Sequence, residues 1–456
     1  MFADLDVVIL AAGKGTRMYS ALPKVLHTIG GMTMLNRIIK AVQALNPKQI
    51  TVVVGHGKEA VIASLPEGVQ WVEQAEQLGT GHALKMALPN LAENGKTLVL
   101  TGDTPLIGTE TLKALVEAAG TGVGLLTDVI DDATGYGRII RSADGQVLAI
   151  VEEKDCNAEQ KAITEFNTGM MVLPNAHVAN WLGALQTSNA QGEYYLTDVI
   201  ALAATAKVPV HGVVVAHSYE AAGVNNKVQL VELERILQRN QAHELLLAGV
   251  TLRDPARLDI RGSLQHGKDV VIDVNVVFEG HCVLGDNVDI GPNCVLKDVV
   301  VADGAQIRAF SHLADCQVGP NSEVGPYARL RPGAKLLGQN KVGNFVEIKK
   351  SQVGVGSKVN HLTYIGDTTI GERTNVGAGA VTCNYDGVNK YQTQIGDDVF
   401  VGSGSLLVAP VVVNNGATIG AGSVITKACP ADQLTLARVK QVSIPSWARP
   451  TKQKKD

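Results

Sequence analysis

The sequence lacks the marks of several protein classes. Its N-terminal apolar run, residues 7–12, falls far short of the ~20 residues that a spanning helix needs, and no membrane span is expected elsewhere. Asp4 and Asp6 stand where a secretory signal would carry Lys or Arg, so no export signal is expected either. Positive charge is not in surplus. The formal net charge is -4, which gives no basic field of the kind nucleic-acid binders use, so no nucleic-acid partner is expected. The six cysteines, Cys156, Cys282, Cys294, Cys316, Cys383 and Cys429, form no Cys-x-x-Cys pair and lie near no zinc-like histidine spacing. That pattern predicts reduced thiols in the cytoplasm. With 45% apolar and 18% charged residues, the chain is not of the disordered type either.

What is present is glycine, 48 residues of it, and a ladder. From Ile272 to Ile425 an aliphatic residue returns every sixth position, through Phe278, Leu284, Ile290 and Leu296, with occasional five-residue steps such as the one to Val301. A period of six fits neither a helix, whose apolar positions recur at three and four, nor a simple strand, whose period is two. It suits short flat strands wound into a coil, one aliphatic residue per face pointing inward and Gly or Asn turning each corner. Three faces close one turn of a β-helix, and each turn is stable because its neighbours cover it.

Upstream, from Asp6 to about Val224, apolar runs at 7–10, 50–54, 71–72 and 97–100 alternate with helical patterns at 34–45, 58–65, 82–88 and 110–119. The alternation predicts an α/β domain of parallel strands joined by crossover helices, with its chemistry in the loops after the strands. Length alone suggests two or three domains. The boundaries expected are a domain at 1–226, a helical linker at 227–248 and the β-helix with its tail at 249–456. The tail is polar and basic, with Trp447, Arg449, Lys452, Lys454 and Lys455.

The first strand runs into Leu10-Ala11-Ala12-Gly13-Lys14-Gly15-Thr16-Arg17-Met18, followed by Pro23-Lys24. Gly13 and Gly15 let backbone N–H groups approach an anion, and Arg17 and Lys24 add charges suited to phosphate. The loop is not a G-x-x-x-x-G-K-[ST] motif, and it lacks the third Gly of G-x-G-x-x-G. Asp103, in Thr101-Gly102-Asp103, follows a strand where a carboxylate can hold a divalent cation.

The combination L-A-A-G-x-G-T-R-M with a downstream P-K resembles the signature of sugar-phosphate nucleotidyltransferases. Gln74 through Gly79, Thr80, Gly81 and His82 resembles the uracil-binding segment of their uridylyltransferase branch. The resemblance implies UTP or UDP-sugar contacts at Leu10, Ala11, Ala12, Gly13, Lys24, Gln74, Gly79, Thr80, Thr101, Gly102, Asp103, Gly137, Glu152, Asn167 and Asn225. Of these, Gly137, Glu152 and Asn167 meet the amino sugar, and Asp103 with Asn225 binds Mg²⁺. Arg17 and Lys24 would carry the catalytic charge.

In the ladder the departures carry the chemistry. Arg331, the segment Gly343 to Lys350, and His361 with Tyr364 bring a guanidinium, an ammonium, an imidazole and a phenol onto successive coils. An 18-residue coil predicts that they stack near one edge. Between Thr382 and Ile395 a polar insertion, Cys383 to Gln394, interrupts the repeat, and insertions in solenoids collect on the binding face. Over the C-terminal half these motifs resemble the acetyltransferase domain of the bifunctional UDP-N-acetylglucosamine pyrophosphorylase/glucosamine-1-phosphate N-acetyltransferase family.

That resemblance implies a Rossmann-like α/β nucleotidyltransferase domain followed by a left-handed parallel β-helix of hexapeptide repeats. It implies His361 as the base for acetyl transfer, and glucosamine 1-phosphate contacts at Arg331, Lys349, Tyr364, Asn375 and Lys390. Acetyl-CoA contacts fall on Ala378, Asn384, Tyr385, Ser403, Ala421 and Arg438. Its sites lie between subunits, so a homotrimer built through the β-helix is expected, acting on small-molecule substrates. Two alternatives stay open on the residues alone: a single-activity nucleotidyltransferase whose β-helix only oligomerises or regulates, and a β-helix that is a structural module without turnover.

Overall fold

The computed structural model describes residues 2–452, so Lys454 and Lys455 of the basic tail lie outside the described residues. Residues up to Asn240 form one compact unit, and those from Gln241 form a second. No described helix is long and apolar enough to cross a membrane.

The first unit is built on a nine-stranded sheet. Its main order is Val210–Val214, Val123–Val129, Glu165–Pro174, Lys96–Thr101, Leu5–Leu10, Gln49–Val54, Gln70–Glu73. Side chains along Leu5–Leu10 alternate between two cores: Val7 and Ile9 join one, Val8 the other. Both faces are thus buried, which is why parallel strands read as unbroken apolar runs. Helix Met34–Gln43 covers the first face with Leu35, Ile38, Ile39 and Val42, and its start is capped by Thr33, whose hydroxyl accepts from Asn36 N–H at 3.2 Å.

One expectation is corrected. The sheet is not wholly parallel, because Glu165–Pro174 runs antiparallel to both of its neighbours. The hairpin of Arg138–Arg141 and Val147–Val151 precedes it, so the chain re-enters the sheet without a long crossover helix. The parallel part behaves as its connections require. From Leu5–Leu10 the chain moves outward through Gln49–Val54 to Gln70–Glu73, then returns to the other flank as Lys96–Thr101. That reversal leaves a crevice at Leu10 and Thr101, the position where such sheets bind ligands.

Helix Lys227–Leu247 starts where Asn226 Oδ1 accepts from Gln229 N–H at 2.9 Å. Leu233 packs with Met18, Ile29, Met34 and Val224 in the first unit, while Ala242 and Leu245 belong to the core of the second.

The second unit is the coil that the ladder predicts. One face is an 11-stranded parallel sheet; the other two are continuous through the long strands Val276–Leu284, Val295–Val301 and His312–Val318, which bend around a corner. Along the ladder from Ile272 to Ile425 the anchors are at most 3% exposed, Thr382 included. Each buried aliphatic anchor contributes roughly 1.5–3 kcal/mol relative to exposure. The corners differ from expectation in mid-coil. Where Asn or Gly was expected, Phe310, Tyr327, Phe345 and Leu362 hold φ of 60°, 55°, 57° and 49°. Left-handed backbone is costly for such residues. The rings offset part of that by stacking, with centroids 4.9 Å apart for Phe310 and Tyr327 and 5.4 Å for Tyr327 and Phe345. All four side chains are largely exposed.

Candidate active sites

At the crevice of the first unit lies a cavity of about 290 Å³. Leu10, Ala11, Ala12, Gly13, Lys24, Gln74, Gly79, Thr80, Thr101 and Asp103 line it, gathering most of the expected nucleotide residues from four separate loops. Gly102, between the lining residues Thr101 and Asp103, does not itself line it; its N–H donates to Leu10 O at 2.9 Å. Gly15 has φ of 59°, and a Cβ there would fall 2.6 Å from that of Lys24, so glycine lets the two basic segments touch. Gln74 is buried and donates through Nε2 to Gly79 O at 3.1 Å, with His82 Nδ1 also 3.1 Å away.

The charged centre is compact. Lys24 Nζ lies 2.5 Å from Asp103 Oδ2 and 3.3 Å from Asn225 Oδ1, and Arg17 Nη2 donates to the same Asn225 oxygen at 2.9 Å. Asp103 and Asn225 are pinned through their backbones: Val224 N–H donates to Asp103 O at 2.9 Å, and Asn225 N–H to Gln229 Oε1 at 2.7 Å. The two side-chain oxygens therefore converge on one position, and a cation, the Lys24 ammonium, fills it. A carboxylate and an amide oxygen aimed at one point, open to water and phosphate, suit Mg²⁺, which binds hard oxygens and keeps several waters. Among the described residues no group of three His, Cys, Asp or Glu could hold a metal on its own.

Gly137, Glu152 and Asn167 do not line this cavity, and of the three only Asn167 is on the antiparallel strand. The register of that strand slips between Asn167 and Met171, and in the slip Gly169 (φ 81°) comes to rest over Thr101. Asn167 N–H donates to Gly137 O at 2.8 Å, and Asn167 Oδ1 accepts from Gly169 N–H at 3.0 Å, leaving its NH₂ to donate elsewhere. Glu152 accepts from Thr197 Oγ1 at 3.0 Å. Burial raises its carboxyl above the usual range, against the pull of that hydroxyl, and Asp198 and Asp155 add to the rise. Tyr136 packs on Phe166, with its hydroxyl pushed up by burial and then by Asp103 and Asp128.

Gln77, from within the Gln74–Thr80 segment, also lines the cavity, as does Glu193, which sequence reasoning missed. Glu193 arrives on a segment over a hundred positions from the loop it meets. Tyr194 exchanges backbone hydrogen bonds with Leu78 and Gly81, and a Cβ on Gly79 (φ 111°) would strike Tyr194 O at 2.6 Å. No motif announces that contact.

On the β-helix the predicted residues fall into two groups. The first is a column at one corner. Asn344 and His361 are in register on adjacent coils, and Gly379 N–H donates to His361 O, Gly404 N–H to Ala378 O, and Gly422 N–H to Ser403 O. His361, Ala378, Ser403 and Ala421 thus climb one edge, and Arg438 closes it by donating to Ala421 O at 2.8 Å. His361 Nδ1 is 3.3 Å from Asn344 Oδ1. Because an amide oxygen only accepts, this partner places the ring proton on Nδ1 and leaves the Nε2 lone pair free.

The second group is cationic. Arg331 pairs with Glu347 at 2.6 Å, and the Lys390 ammonium faces Lys349 and holds it below the usual lysine range, with Arg331 adding to the effect. Such crowding of positive charge is relieved by an anion such as phosphate. Tyr364 and Asn384 converge over Gly366, and Asn384 donates to Asp367 at 2.5 Å. Tyr385 bridges to Lys390 across the insertion, which Asp386 closes by accepting from Val388 and Asn389 N–H.

The expected single-edge stack of Arg331, Lys349, His361 and Tyr364 does not form. Tyr364 is in register with Glu347, and Lys349 with Gly366, on the face that begins beyond the corner at Leu362; His361 and Asn344 end the preceding face. Asn375 lies on that preceding face too, in register with Lys358. Counting 18 residues per coil gives the coil but not the face, and coils of 17 shift the tally.

A Rossmann-like nucleotide site and a hexapeptide coil with a histidine corner define a nucleotidyltransferase joined to a hexapeptide-repeat acyltransferase. The MobA-like NTP transferase domain family matches residues 7–164, and the bacterial transferase hexapeptide family matches residues 264–298 and 392–427. Bifunctional protein GlmU of Chromobacterium violaceum is 63% identical over 450 residues, 98% of this chain and 99% of that protein. The proteins of the same name from Neisseria meningitidis serogroup B and Cupriavidus pinatubonensis are 60% and 53% identical, covering 99% of this chain and 99% and 100% of their own lengths. The chain belongs to the GlmU family of bifunctional proteins.

Proposed function

We infer that this chain makes UDP-N-acetylglucosamine in two steps. The β-helix transfers acetyl from acetyl-CoA to the amine of glucosamine 1-phosphate. The α/β unit then transfers uridylyl from UTP to N-acetylglucosamine 1-phosphate with release of pyrophosphate.

For the second step, the observation that carries the reading is the convergence of Arg17, Lys24, Asp103 and Asn225 beside the nucleotide cavity. A sugar phosphate must attack the α-phosphorus of UTP, and the two anions repel. Arg17, Lys24 and loop N–H groups screen that repulsion and stabilise the charge that develops, so no side-chain nucleophile is needed. Gln74 and Gly79 hold the base, while Gly137, Glu152 and Asn167 hold the amino sugar. Asp103 and Asn225 would bind Mg²⁺, which supplies further neutralisation of phosphate charge.

For the first step, His361 Nε2 takes a proton from the substrate's ammonium, freeing the amine to attack the thioester. Arg331, Lys349 and Lys390 fix the phosphate, with Tyr364 and Asn375 on the sugar. Ala378, Ser403 and Ala421 offer small residues and backbone along which the coenzyme lies, with Asn384, Tyr385 and Arg438 beside it. Within one chain the histidine corner and the cation cluster stand at different ends of a face. A homotrimer through the β-helix, pairing one copy's corner with a neighbour's cluster, completes the site, and the exposed Phe310, Tyr327, Phe345 and Leu362 edge supplies apolar surface for such an assembly. Six cysteines without a disulfide fit the cytoplasm as the working compartment.

Thiol release from acetyl-CoA that depends on glucosamine 1-phosphate, measured beside pyrophosphate release from UTP, tests the reading. Pyrophosphate release without thiol release would leave a single-activity nucleotidyltransferase.

A further inference from the structure

The ion pair between Lys24 and Asp103 carries a consequence for how the metal site is filled. If Asp103 and Asn225 hold the metal, as proposed above, then the Lys24 ammonium stands in the metal's place. Its Nζ lies 2.5 Å from one intended ligand oxygen and 3.3 Å from the other. Asn225 Oδ1 also accepts from Arg17, so both of its lone pairs are committed. The backbones that carry the two side chains are held, Asp103 O accepting from Val224 N–H and Asn225 N–H donating to Gln229 Oε1. The group free to leave is the lysine side chain, which lies on the cavity wall beside Gly13.

We propose that Lys24 is a placeholder cation: it keeps the Asp103–Asn225 position neutralised and closed to metal, and the phosphates of an incoming nucleotide draw it away. Metal and nucleotide then bind cooperatively. The device prevents a bare divalent ion from settling without substrate, and it delivers the Lys24 charge to the phosphates in the same movement that opens the metal position. A metal ion and the Lys24 ammonium cannot both sit between Asp103 Oδ2 and Asn225 Oδ1, since that one position takes a single cation and like charges there repel strongly.

The test is Mn²⁺ binding to nucleotide-free protein, followed by the paramagnetic resonance signal of the free ion, with no turnover involved. Lys24→Met keeps the aliphatic stem that packs against Gly15 and removes the charge. Losing a charge-assisted competitor predicts Mn²⁺ binding tighter by roughly tenfold or more than wild type. Lys14→Met, which removes one charge from the same loop without touching either oxygen, should stay within about twofold of wild type, using the same tenfold scale. Lys24→Gln serves where Lys24→Met does not fold, with the same direction expected. Unchanged or weaker Mn²⁺ binding in the folded Lys24 variant, or an equal gain in Lys14→Met, overturns the placeholder. Asp103→Asn in the Lys24→Met background separates this from the underlying reading. It should abolish the gain, and Mn²⁺ binding indifferent to Asp103 in every background would remove the metal site itself.

Discussion

Replacing Asn344 by Ala tests the acetyl-transfer corner at a residue that is neither the base nor a contact expected for substrate. Asn344 Oδ1 is 3.3 Å from His361 Nδ1, and the two residues are register partners on adjacent coils, so the backbone keeps the pair aligned. One neutral hydrogen bond contributes about 1 kcal/mol. The pair is exposed, so water replaces part of what is lost. The expected effect is therefore a fall of roughly two- to five-fold in kcat for acetyl transfer, since 1.36 kcal/mol is tenfold and about 1 kcal/mol is the upper bound. KM for glucosamine 1-phosphate should hold, because the contacts proposed for its phosphate, Arg331, Lys349 and Lys390, belong to the next face. Asn344→Asp should instead move the acid limb of the pH–rate profile to higher pH, as a carboxylate beside Nδ1 favours the protonated ring. The readout is thiol release from acetyl-CoA, with pyrophosphate release as the internal control. Wild-type kcat in Asn344→Ala at all pH values, or an equal loss of both activities, refutes the orienting role.

Other outcomes follow from buried titratable groups. Glu152 has its carboxyl raised by burial, so its protonated form is favoured in the folded chain. Its contribution to stability is fully present below the ordinary value of 4.5 and is lost as pH rises through the raised value. Glu152→Gln should therefore melt higher than wild type at pH 7, with the gap closing as pH approaches 4.5; a gap that widens on acidification would contradict the assignment. Burial pushes Cys294 up to about 11 and Cys316 up to about 12, and raises Cys156 and Cys282, while Cys429 is buried and Cys383 partly exposed. Native protein should show one fast thiol toward a disulfide reagent, missing in Cys383→Ala; several fast thiols would mean that the coil opens.

Much of this was legible because it repeats. The anchors from Ile272 to Ile425 specify the coil since each must be buried for the turn to close, and a period leaves no other solution. The strands ending at Leu10 and Thr101 were readable for a related reason: buried on both faces, they form uninterrupted apolar runs. Glu165–Pro174 was not, because its direction depends on the hairpin before it rather than on its own residues. Among site residues, those in contiguous motifs, from Leu10 to Gly13 or Gln74 to Thr80, came together as expected. Glu193 was invisible, since its place is fixed by tertiary pairing of Tyr194 with Leu78. The aromatic corners ran against local preference, and an intrinsic rule that favours Gly or Asn cannot foresee a stack that offsets strain.

The central claim is that one chain holds two chemically independent sites, and paired variants test it most directly. Asp103→Ala and His361→Ala are each assayed for thiol release and for pyrophosphate release on folded protein. Asp103→Ala should lose pyrophosphate release by on the order of hundredfold or more and keep acetyl transfer nearly intact. His361→Ala should lose acetyl transfer by roughly 10²–10⁴ and keep uridylyl transfer from supplied N-acetylglucosamine 1-phosphate. Loss of both activities from either folded variant would contradict the account.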